Sequence, residues 1–541
     1  MKLYQILSAV LLMNFCLLTA HAETYSVVIC NTNDIHGGID SSQANFMNPE
    51  FPPQLGGGAS AATLIRYLRQ MAKEQGKGFL LLDTGDIFQG TLVGTKSEGE
   101  AVMRFMNEVG YDAWVLGNHE FDLGRQVAER LMKQAAFPTL SANIIDSSDG
   151  TAKLFAQPYL IKDFGKLKMG IIGLTTSGTE RASFKENIRG LSWLPETTTL
   201  AAYRDSLRQM GVDIIVAACH LGLPYDRWEA WEDLEKWEAE GWKSPFARNA
   251  FELARRVSGI DILFAGDIHV GYQEPWVDPV THTPCFQGYG RGTNLMAIEF
   301  VFDLETKSLL YWKPFADQGT LLTLFSDEFP RDREIAEAID TVVARVESGF
   351  NEKIGEAIIP VTRSGDAESL LGNMVCDAMQ WRLKGDMAIT NKGGVRTDLP
   401  AGTITPRDVF NVLPFDNTLG TVIVTGQFMK DLIEDKVAYG GSGLYLSGMR
   451  VKIDRNRPQG DRVVSFEIGG EPYVPDKEYR LVTTDYLLEG NSGMKKLVGL
   501  RNQTAIESGV YMRDSLIEYI KEFSPLEPKL DGRWQWVDSK Q

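Results

Sequence analysis

Five short apolar segments of the chain each end in side chains of the type that binds metal ions. The segments are SVVIC, GFLLLD, AWVLG, DIIVAAC and DILFAG. Such runs are typical of strands buried on both faces of a sheet. The polar residues that follow them are Asp34, His36, Asp86, Asn118, His119, Asp122, His220, Asp267 and His269. Since the carboxyl ends of the strands in an open α/β sheet meet at one edge, these side chains are predicted to converge on one site.

The placement of the histidines supports this interpretation. A single histidine is more often a hydrogen-bonded core or surface residue than a ligand. The chain has only six histidines, however, and four of them occupy equivalent strand ends. The four are His36, His119, His220 and His269.

Length and charge limit the class of protein. At 541 residues the chain exceeds what one hydrophobic core usually supports, so two or more domains are expected. The formal net charge of -17 argues against polymeric nucleic acid as a partner, because such binding relies on Lys and Arg at many phosphates. A small anion, held by metal ions and one or two arginines, remains compatible with this charge.

The first 22 residues have the pattern of a secretory signal peptide. Lys2 precedes an apolar stretch from about Ile6 to Ala20, and Ala20 and Ala22 flank His21. Cleavage after Ala22 and a periplasmic or secreted location are predicted. A membrane anchor is the competing interpretation, but the apolar run is short for a span. No stable membrane insertion is expected, and the oligomeric state is left open.

The rest of the chain divides into three predicted parts. Residues 23–327 alternate strand-like and helical patterns, which indicates a layered α/β domain. Residues 328–352 have apolar residues at helical spacing and predict a linker helix, and residues 353–541 form a second α/β pattern. The tryptophan-rich segment 225–249 is predicted as a helix docked on the first domain, with a lid near the site as the alternative.

The ligand types favour a pair of divalent ions. Carboxylate, imidazole and carboxamide groups without thiolates select zinc, manganese or similar ions. Two such ions about 3.5–4 Å apart polarise a phosphoryl group and need one bridging carboxylate, for which Asp86 on its Gly-Asp turn is suited. The remaining ligands are predicted as Asp34 with His36 on one ion, Asn118 with His220 on the other, and Asp267 with His269 completing both shells.

His119 is predicted to act differently from its neighbour Asn118. Adjacent residues on an extended segment point in opposite directions, so the two side chains are not expected to bind the same ion. His119 is better placed to protonate a leaving group or to hold a phosphate. Asp122, three residues further on, is expected to orient the imidazole.

The motifs NDIHG, GDIFQGT, GNHEFD and HLG, with a G-x-x-H element, resemble those of calcineurin-type metallophosphoesterases. Their order and the second domain resemble the secreted 5'-nucleotidase family, which includes UDP-sugar hydrolases. The resemblance implies a four-layer αββα domain followed by a smaller α/β nucleotide-binding domain. It also implies one ion held by Asp34, His36, Asp86 and His269, a second held by Asp86, Asn118, His220 and Asp267, and a catalytic pair His119–Asp122.

The same resemblance assigns the substrate site to the second domain. Arg396 in TNKGGVR matches an arginine that binds phosphate, and Phe415 and Tyr486 match two aromatic residues that stack on the base. Other residues matched to the substrate site are Asn391, Gly393 and Gly394 in the arginine's loop, Asn417 beside Phe415, and Arg363 as an additional phosphate ligand.

Two motifs depart from the family pattern. Asp267 in Gly-Asp-Ile-His stands where the family usually has a histidine, and Asn491 and Ser492 interrupt a base-binding motif that often reads GGDG. The metal site is expected to survive these changes, whereas the contacts to the base or ribose are expected to differ from those of the family.

Together these features predict an exported metallophosphatase with two divalent ions that converts nucleoside 5'-monophosphates to nucleoside and phosphate. UDP-sugars are a further expected substrate class. The rival enzyme is a 2',3'-cyclic-nucleotide phosphodiesterase with 3'-nucleotidase activity. A periplasmic nucleotide-binding protein without turnover is the third hypothesis; it predicts loss of the proton donor or the bridging carboxylate, and His119 and Asp86 are both present.

Overall fold

The computed structural model describes residues 23–537 except residues 45, 46, 49, 50, 316, 318, 347, 366, 416, 439–442 and 505, and side chains are described for all of these except residues 181, 182, 501–504, 507 and 509. The predicted signal peptide, residues 1–22, lies outside the described residues. None of the helices in the described part of the chain combines the length and apolar character that a membrane span requires.

The first domain contains the following strands: β1 (Thr24–Thr32), β2 (Ser42–Gln43), β3 (Gln54–Leu55), β4 (Gly78–Asp83), β5 (Ala113–Val115), β6 (Thr139–Leu140), β7 (Ile144–Asp146), β8 (Lys153–Leu154), β9 (Tyr159–Asp163), β10 (Lys168–Thr175), β11 (Leu191–Trp193), β12 (Ile214–His220), β13 (Ile262–Ala265), β14 (Trp276–Val277), β15 (Pro284–Gln287), β16 (Asn294–Asp303), β17 (Ser308–Pro314) and β18 (Leu321–Thr323). Its helices are α1 (Gly57–Glu74), α2 (Leu92–Lys96), α3 (Glu100–Val109), α4 (Arg125–Gln134), α5 (Thr179–Ala182), α6 (Glu196–Gln209), α7 (Arg227–Ala239) and α8 (Ala250–Arg256).

Two sheets pack face to face in this domain. The first has the order β17-β16-β1-β4-β5-β6, with β18 beside β16, and the second has the order β14-β15-β13-β12-β10-β9. Val27 and Ile29 of β1 meet Ile214 and Val216 of β12 in the core between the sheets. Residues of opposite parity on the same strands pack against the outer helices, as Val28 does against α1 and α3. This alternation produces helix, sheet, sheet and helix layers, which confirms the predicted αββα architecture.

Strand direction brings the predicted ligands to one edge. Strand β1 pairs in parallel with β4, with Thr32 opposite Asp83, and β12 pairs in parallel with β13. Within each sheet, the loops after these parallel strands therefore leave on the same side, and the contact of His220 Nδ1 with the Thr84 carbonyl joins the two sets of loops. The five apolar segments are strands, as predicted, and their polar residues lie at or just beyond the strand ends.

Helix α7 confirms the predicted docking of the tryptophan-rich segment. Trp231, Trp237 and Trp242 pack against the core formed by the second sheet and its outer helices. Buried Arg255 of α8 pairs with Glu238 of α7 and with Asp278, which fixes the helix to the domain.

A helix α9 (Arg333–Val346) lies within the predicted linker. Its buried residues Ile335 and Ile339 belong to the core shared by the first sheet and its helices. The helix therefore packs on the first domain before the chain enters the second. The exact domain limits stay a prediction.

The second domain is a smaller α/β unit. Its strands are β19 (Gly355–Ala357), β20 (Met387–Asn391), β21 (Gly402–Ile404), β22 (Thr418–Thr425), β23 (Leu444–Ser447), β24 (Met449–Asp454), β25 (Val463–Ile468), β26 (Glu471–Pro472), β27 (Glu478–Thr484), β28 (Ile506–Tyr511) and β29 (Trp534–Val537). Its helices are α10 (Leu370–Leu383), α11 (Pro406–Val412), α12 (Gly426–Val437), α13 (Asp485–Leu488), α14 (Lys495–Thr504) and α15 (Met512–Phe523). A five-stranded sheet, β23-β20-β27-β22-β28, has apolar cores on both faces.

Candidate metal centre and substrate cleft

The loops that carry the predicted ligands are held in unusual backbone conformations. Asp34, His36, Asp86, Asp267 and His269 all have positive φ, between 48° and 80°. Non-glycine residues adopt this region at a cost, and such residues cluster at functional sites. Loop-to-loop hydrogen bonds hold them there: the Asp34 amide donates to the Gly85 carbonyl and the His36 amide to the Asp86 carbonyl, both at 2.9 Å.

Close packing of these loops requires glycine at two positions. A Cβ atom on Gly117 would lie 2.2 Å from Asp86 Oδ1, and one on Gly85 would lie 2.6 Å from His220 Nδ1. Gly85 also has φ of 98°. The glycines of the GD and GN turns thus allow the ligand side chains to approach the neighbouring backbone.

One group of ligand atoms is formed by Asp34, His36, Asp86 and His269. One donor atom from each lies within 4.8 Å of the others. The Nε2 atoms of His36 and His269 are 2.7 Å apart, and His269 Nε2 is 3.4 Å from Asp34 Oδ1. Burial, aided by the charge of His269, holds the pKa of His36 well below its usual range. A neutral imidazole with a free ring nitrogen is the form that binds a metal ion.

A second group surrounds His220. Its Nε2 atom lies 3.0 Å from Asn118 Oδ1, 3.1 Å from Asp86 Oδ2 and 3.6 Å from Asp267 Oδ1. The other ring nitrogen, Nδ1, is 2.7 Å from the Thr84 carbonyl. A backbone carbonyl at Nδ1 fixes the ring so that Nε2 faces the cluster, as in metal sites whose histidines are oriented by a second partner.

Asp86 lies between the two groups. Its carboxylate is buried, and the Oδ2 atom faces the candidate ligand histidines. Nε2 atoms surround it, from His220 at 3.1 Å, His36 at 3.8 Å and His119 at 3.9 Å. Imidazole nitrogens and a carboxylate oxygen that face one another in this way are arranged like the ligands of a shared cation. The residues therefore fit a bound metal.

Asp267 occupies the position where the family resemblance expects histidine. Its backbone amide donates to both carboxylate oxygens of Asp34, at 3.1 and 3.0 Å. Its side-chain oxygen faces His220 at 3.6 Å. The loop that carries Asp267 is therefore held by hydrogen bonds to Asp34. Its side chain adds a carboxylate, instead of an imidazole, to the second group.

His119 and Asp122 form a close pair, with His119 Nδ1 2.6 Å from Asp122 Oδ2. Burial by itself lowers the pKa of His119, but the carboxylates of Asp122 and Asp86 outweigh it and raise the pKa to about 9. These two carboxylates thus favour the charged imidazole, which is able to donate a proton. The premise that residues 118 and 119 are extended was wrong: Asn118 has helical angles, and a 3-10 helix spans His119–Phe121. The two side chains nevertheless have different partners, because Asn118 contacts His220.

Arg396 brings the second domain onto the ligand cluster. Its Nη2 atom lies 3.2 Å from His269 Nε2 and 3.4 Å from His36 Nε2, and its Nη1 donates to the Gly393 carbonyl at 3.3 Å. Asn391 ends β20, and a 3-10 helix, Lys392–Gly394, follows. The guanidinium group therefore points from this glycine-containing loop into the metal-ligand cluster of the other domain.

The two predicted base-stacking residues also face the first domain. The Phe415 ring is stacked on the His119 ring, with centroids 5.4 Å apart and planes at 22°. Tyr486 meets Phe184 of the first domain edge to face at 6.0 Å. Phe415 and Tyr486 are both partly exposed. Both therefore lie at the boundary between the domains, which is called the cleft below.

Two other predicted substrate residues, Asn417 and Arg363, make their described hydrogen bonds within the second domain. Asn417 is buried, and its carbonyl accepts a hydrogen bond from the Met512 amide at 2.9 Å. Arg363 is exposed, and its amide donates to Asp398. Burial is the main cause of the lowered pKa of Arg396, and the charge of Arg363 lowers that pKa further. Nearby carboxylates act in the opposite direction.

Two residues at the site were not predicted from the sequence. Glu120 accepts hydrogen bonds from the amides of Asp86, Ile87 and Gly117 at 3.0, 2.9 and 2.6 Å, and so joins two ligand loops. Arg291 donates from Nη2 to the Arg396 carbonyl at 2.7 Å, across the domain boundary. Glu120 lies within GNHEFD and could have been noticed there, whereas the only signal for Arg291 is its glycine-flanked position in GYGRG.

Known proteins resemble this chain in sequence and in fold. Residues 27–271 match the family model for calcineurin-like phosphoesterases, and residues 342–499 match that for the 5'-nucleotidase C-terminal domain. A snake venom 5'-nucleotidase from Gloydius brevicauda is 28% identical over 96% of this chain and 90% of its own length. Protein UshA from Yersinia enterocolitica is 27% identical over 93% of this chain and 92% of its own length. The crystal structure of a 5'-nucleotidase precursor from Thermus thermophilus has a TM-score of 0.81 and 28% identity, covering 95% of this chain and 99% of that one.

Proposed function

We propose that this chain hydrolyses nucleoside 5'-monophosphates to nucleoside and phosphate. The chain belongs to the 5'-nucleotidase family and carries a calcineurin-like phosphoesterase domain. The chain is a metal-dependent phosphoric ester hydrolase rather than a binding protein without turnover. The observation that carries the proposal is the buried Oδ2 atom of Asp86, which faces ring nitrogens from two groups of candidate ligands.

We assign two divalent ions, zinc, manganese or similar, to these groups. Asp34, His36, Asp86 and His269 would hold one ion, and Asp86, Asn118, His220 and Asp267 the other. When bound, such a pair supplies Lewis-acid polarisation of phosphoryl oxygens and makes water more acidic. Oxygen and imidazole ligands without thiolate support the choice of ions.

The protein's own groups bind the phosphate and move a proton. Arg396, aimed between His36 and His269, is placed to hold the phosphoryl oxygens and to stabilise charge that develops on them. His119, in its charged form, is placed to give its Nε2 proton to the leaving 5'-oxygen of the nucleoside. Asp122 holds the ring through Nδ1 and keeps it charged.

The nucleoside is assigned to the wall formed by the second domain. Phe415 and Tyr486 supply aromatic faces at the cleft, and the loop containing Asn391, Gly393 and Gly394 borders the phosphate position. UDP-sugars form a second candidate class, because the relative UshA covers nearly the whole chain. We also propose export, on the signal-like pattern of residues 1–22.

The test is phosphate release from a panel of esters. Protein stripped with a chelator and refilled with single metals is assayed on 5'-AMP, 3'-AMP, 2',3'-cyclic AMP and UDP-glucose. UDP-glucose is followed with an added phosphomonoesterase control and by UMP formation. Metal-dependent release from 5'-AMP with the highest kcat/KM supports the proposal. A higher kcat/KM on the cyclic or 3'-ester would assign the chain to the rival phosphodiesterase activity.

A further inference from the structure

Arg291 lies in the loop between β15 and β16, which interlocks with the first ligand loop. The Arg291 amide donates to the Asp34 carbonyl at 2.6 Å. A Cβ atom on Gly38 would lie only 2.2 Å from the Arg291 carbonyl oxygen. Arg291 itself has φ of 66°. Its backbone is therefore fixed relative to the loop that presents Asp34 and His36.

The Arg291 side chain leaves this loop and reaches the second domain. Its Nη2 atom donates to the Arg396 carbonyl at 2.7 Å. The Arg396 guanidinium, on the same residue, contacts His269 at 3.2 Å and His36 at 3.4 Å. Arg291 thus holds the main chain of the residue whose side chain enters the ligand cluster.

The charges around Arg291 are of its own sign. Burial, together with the charges of Arg396 and Arg363, lowers the pKa of Arg291 to about 9. The charges of Arg396 and Arg363, on the second domain, therefore act on Arg291 across the domain boundary. Positive groups repel one another, so it is the hydrogen bond from Arg291 to the Arg396 carbonyl that holds the two residues together.

We propose that Arg291 is a positioning residue, which sets Arg396 over the metal-ligand histidines by donating a hydrogen bond to its carbonyl across the domain boundary. This proposal rests on the proposed function, in which Arg396 holds the phosphoryl group. Arg291 acts through Arg396, so its removal matters only while the Arg396 side chain is present. The hydrogen bond is made by the side chain, whereas the bond to Asp34 is made by the backbone, so substitution leaves the metal ligands in place.

The experiment is a double-mutant cycle with orthophosphate as the probe. Arg291→Met, which keeps an apolar stem, and Arg291→Ala are each made alone and with Arg396→Ala. The Kd for inorganic phosphate is measured by calorimetry on the metal-loaded full chain, and metal content is determined for every variant. The matched control is Arg69→Ala, because Arg69 also donates to backbone carbonyls, those of Val109 and Gly110, beside Phe79 at the start of β4.

With Arg396 present, loss of Arg291 is expected to weaken phosphate binding by roughly 10- to 100-fold, as for a buried charged hydrogen bond. In the Arg396→Ala background the further loss should be less than about threefold, because coupled residues are not additive. Arg69→Ala should change neither value. Equal losses in both backgrounds, or loss of metal in Arg291→Met, would overturn the proposal.

The failure of this proposal is distinguishable from the failure of the proposed function. The unaltered chain is assayed on 5'-AMP in parallel. Absence of AMP hydrolysis with an intact phosphate-binding cycle would reject the nucleotidase activity and keep Arg291 as a positioning residue. AMP hydrolysis with an additive cycle would do the reverse.

Discussion

The cleft has two walls: the metal side, where the first domain carries the proposed metal ligands, and the substrate side, where the second domain carries the proposed nucleoside contacts. On the metal side, Asp34, Asp86 and His220 follow buried strands and are themselves buried, in loops joined by backbone hydrogen bonds. On the substrate side, Phe415 and Tyr486 are partly exposed and find ring partners in the other domain. The first wall is fixed within one domain, whereas the second depends on how two domains meet.

This difference separates chemistry from substrate choice. Substitutions on the metal side should damage the hydrolysis of every phosphate ester, because all esters share the phosphoryl group. Substitutions on the substrate side should damage nucleotides selectively. An aryl phosphate, which has the reacting group without a nucleoside, therefore tells the two walls apart.

The largest effect is expected at the shared carboxylate. Asp86→Asn removes the anionic oxygen that both ligand groups face, so kcat should fall by roughly 10³-fold or more on 5'-AMP and on an aryl phosphate alike. This decrease is larger than the one caused by removing a single oxyanion-hole donor from an enzyme. Phosphate release and metal content are measured on folded protein. Asp149→Asn, at a surface carboxylate paired with Lys153, is the control and should be silent. Near-normal turnover with full metal occupancy would rule out the bridge.

A smaller effect is expected at the proton donor. His119→Ala should lower kcat on 5'-AMP by about 10²- to 10⁴-fold, the range for general acid catalysis. The loss on p-nitrophenyl phosphate should be far smaller, because its leaving group needs little protonation. Equal losses on the two esters would mean that His119 binds phosphate or metal instead of donating a proton.

The pairing of His119 with Asp122 adds a pH test. A general acid works only while protonated, so activity declines as pH rises through its pKa. Asp122 is a principal cause of the raised pKa of His119, about 9. Asp122→Asn should therefore move the basic limb of the kcat/KM profile to lower pH. A basic limb that does not move would exclude His119 as the group that titrates there.

On the substrate side, Tyr486→Ala tests the base contact. Stacking on an aromatic side chain is worth roughly 1–3 kcal/mol per base, so kcat/KM for 5'-AMP should fall by about one to two orders of magnitude. Hydrolysis of the aryl phosphate should change much less. The conservative control Tyr486→Phe keeps the ring and should retain nucleotide activity. If Tyr486→Ala harms both substrates equally, the residue supports the domain interface, through Phe184, and not the base.

The smallest effect concerns Asp267. An extra carboxylate in the ligand group donates negative charge, so the ions should acidify water less than an imidazole-containing group would. The pH–rate profile of the unaltered chain should thus rise at higher pH than that of Asp267→His, measured with both variants fully metal-loaded. An unchanged or opposite shift of the acid limb would remove Asp267 from the ligand group.

Sequence reasoning was most effective where chemistry follows secondary structure. A run such as GFLLLD ends at a definite residue, so the position of Asp86 follows from the strand and the fold class. Contacts between distant segments left no such periodic signal. The stack of Phe415 on His119 and the hydrogen bond from Arg291 to Arg396 depend on how the domains meet. The spacing of apolar residues along the sequence does not encode that geometry. Local geometry also misled at Asn118, where a helical turn replaces the extended segment that alternation assumed.

The most direct test of the account is a metal titration. Chelated protein is refilled stepwise with manganese or zinc, and bound metal per chain is measured beside phosphate release from 5'-AMP. Turnover is expected to approach its maximum only as occupancy approaches two ions per chain, and Asp86→Asn is expected to gain no comparable activity at any occupancy. Full activity at one bound ion per chain, or activity that is indifferent to metal, would contradict this expectation.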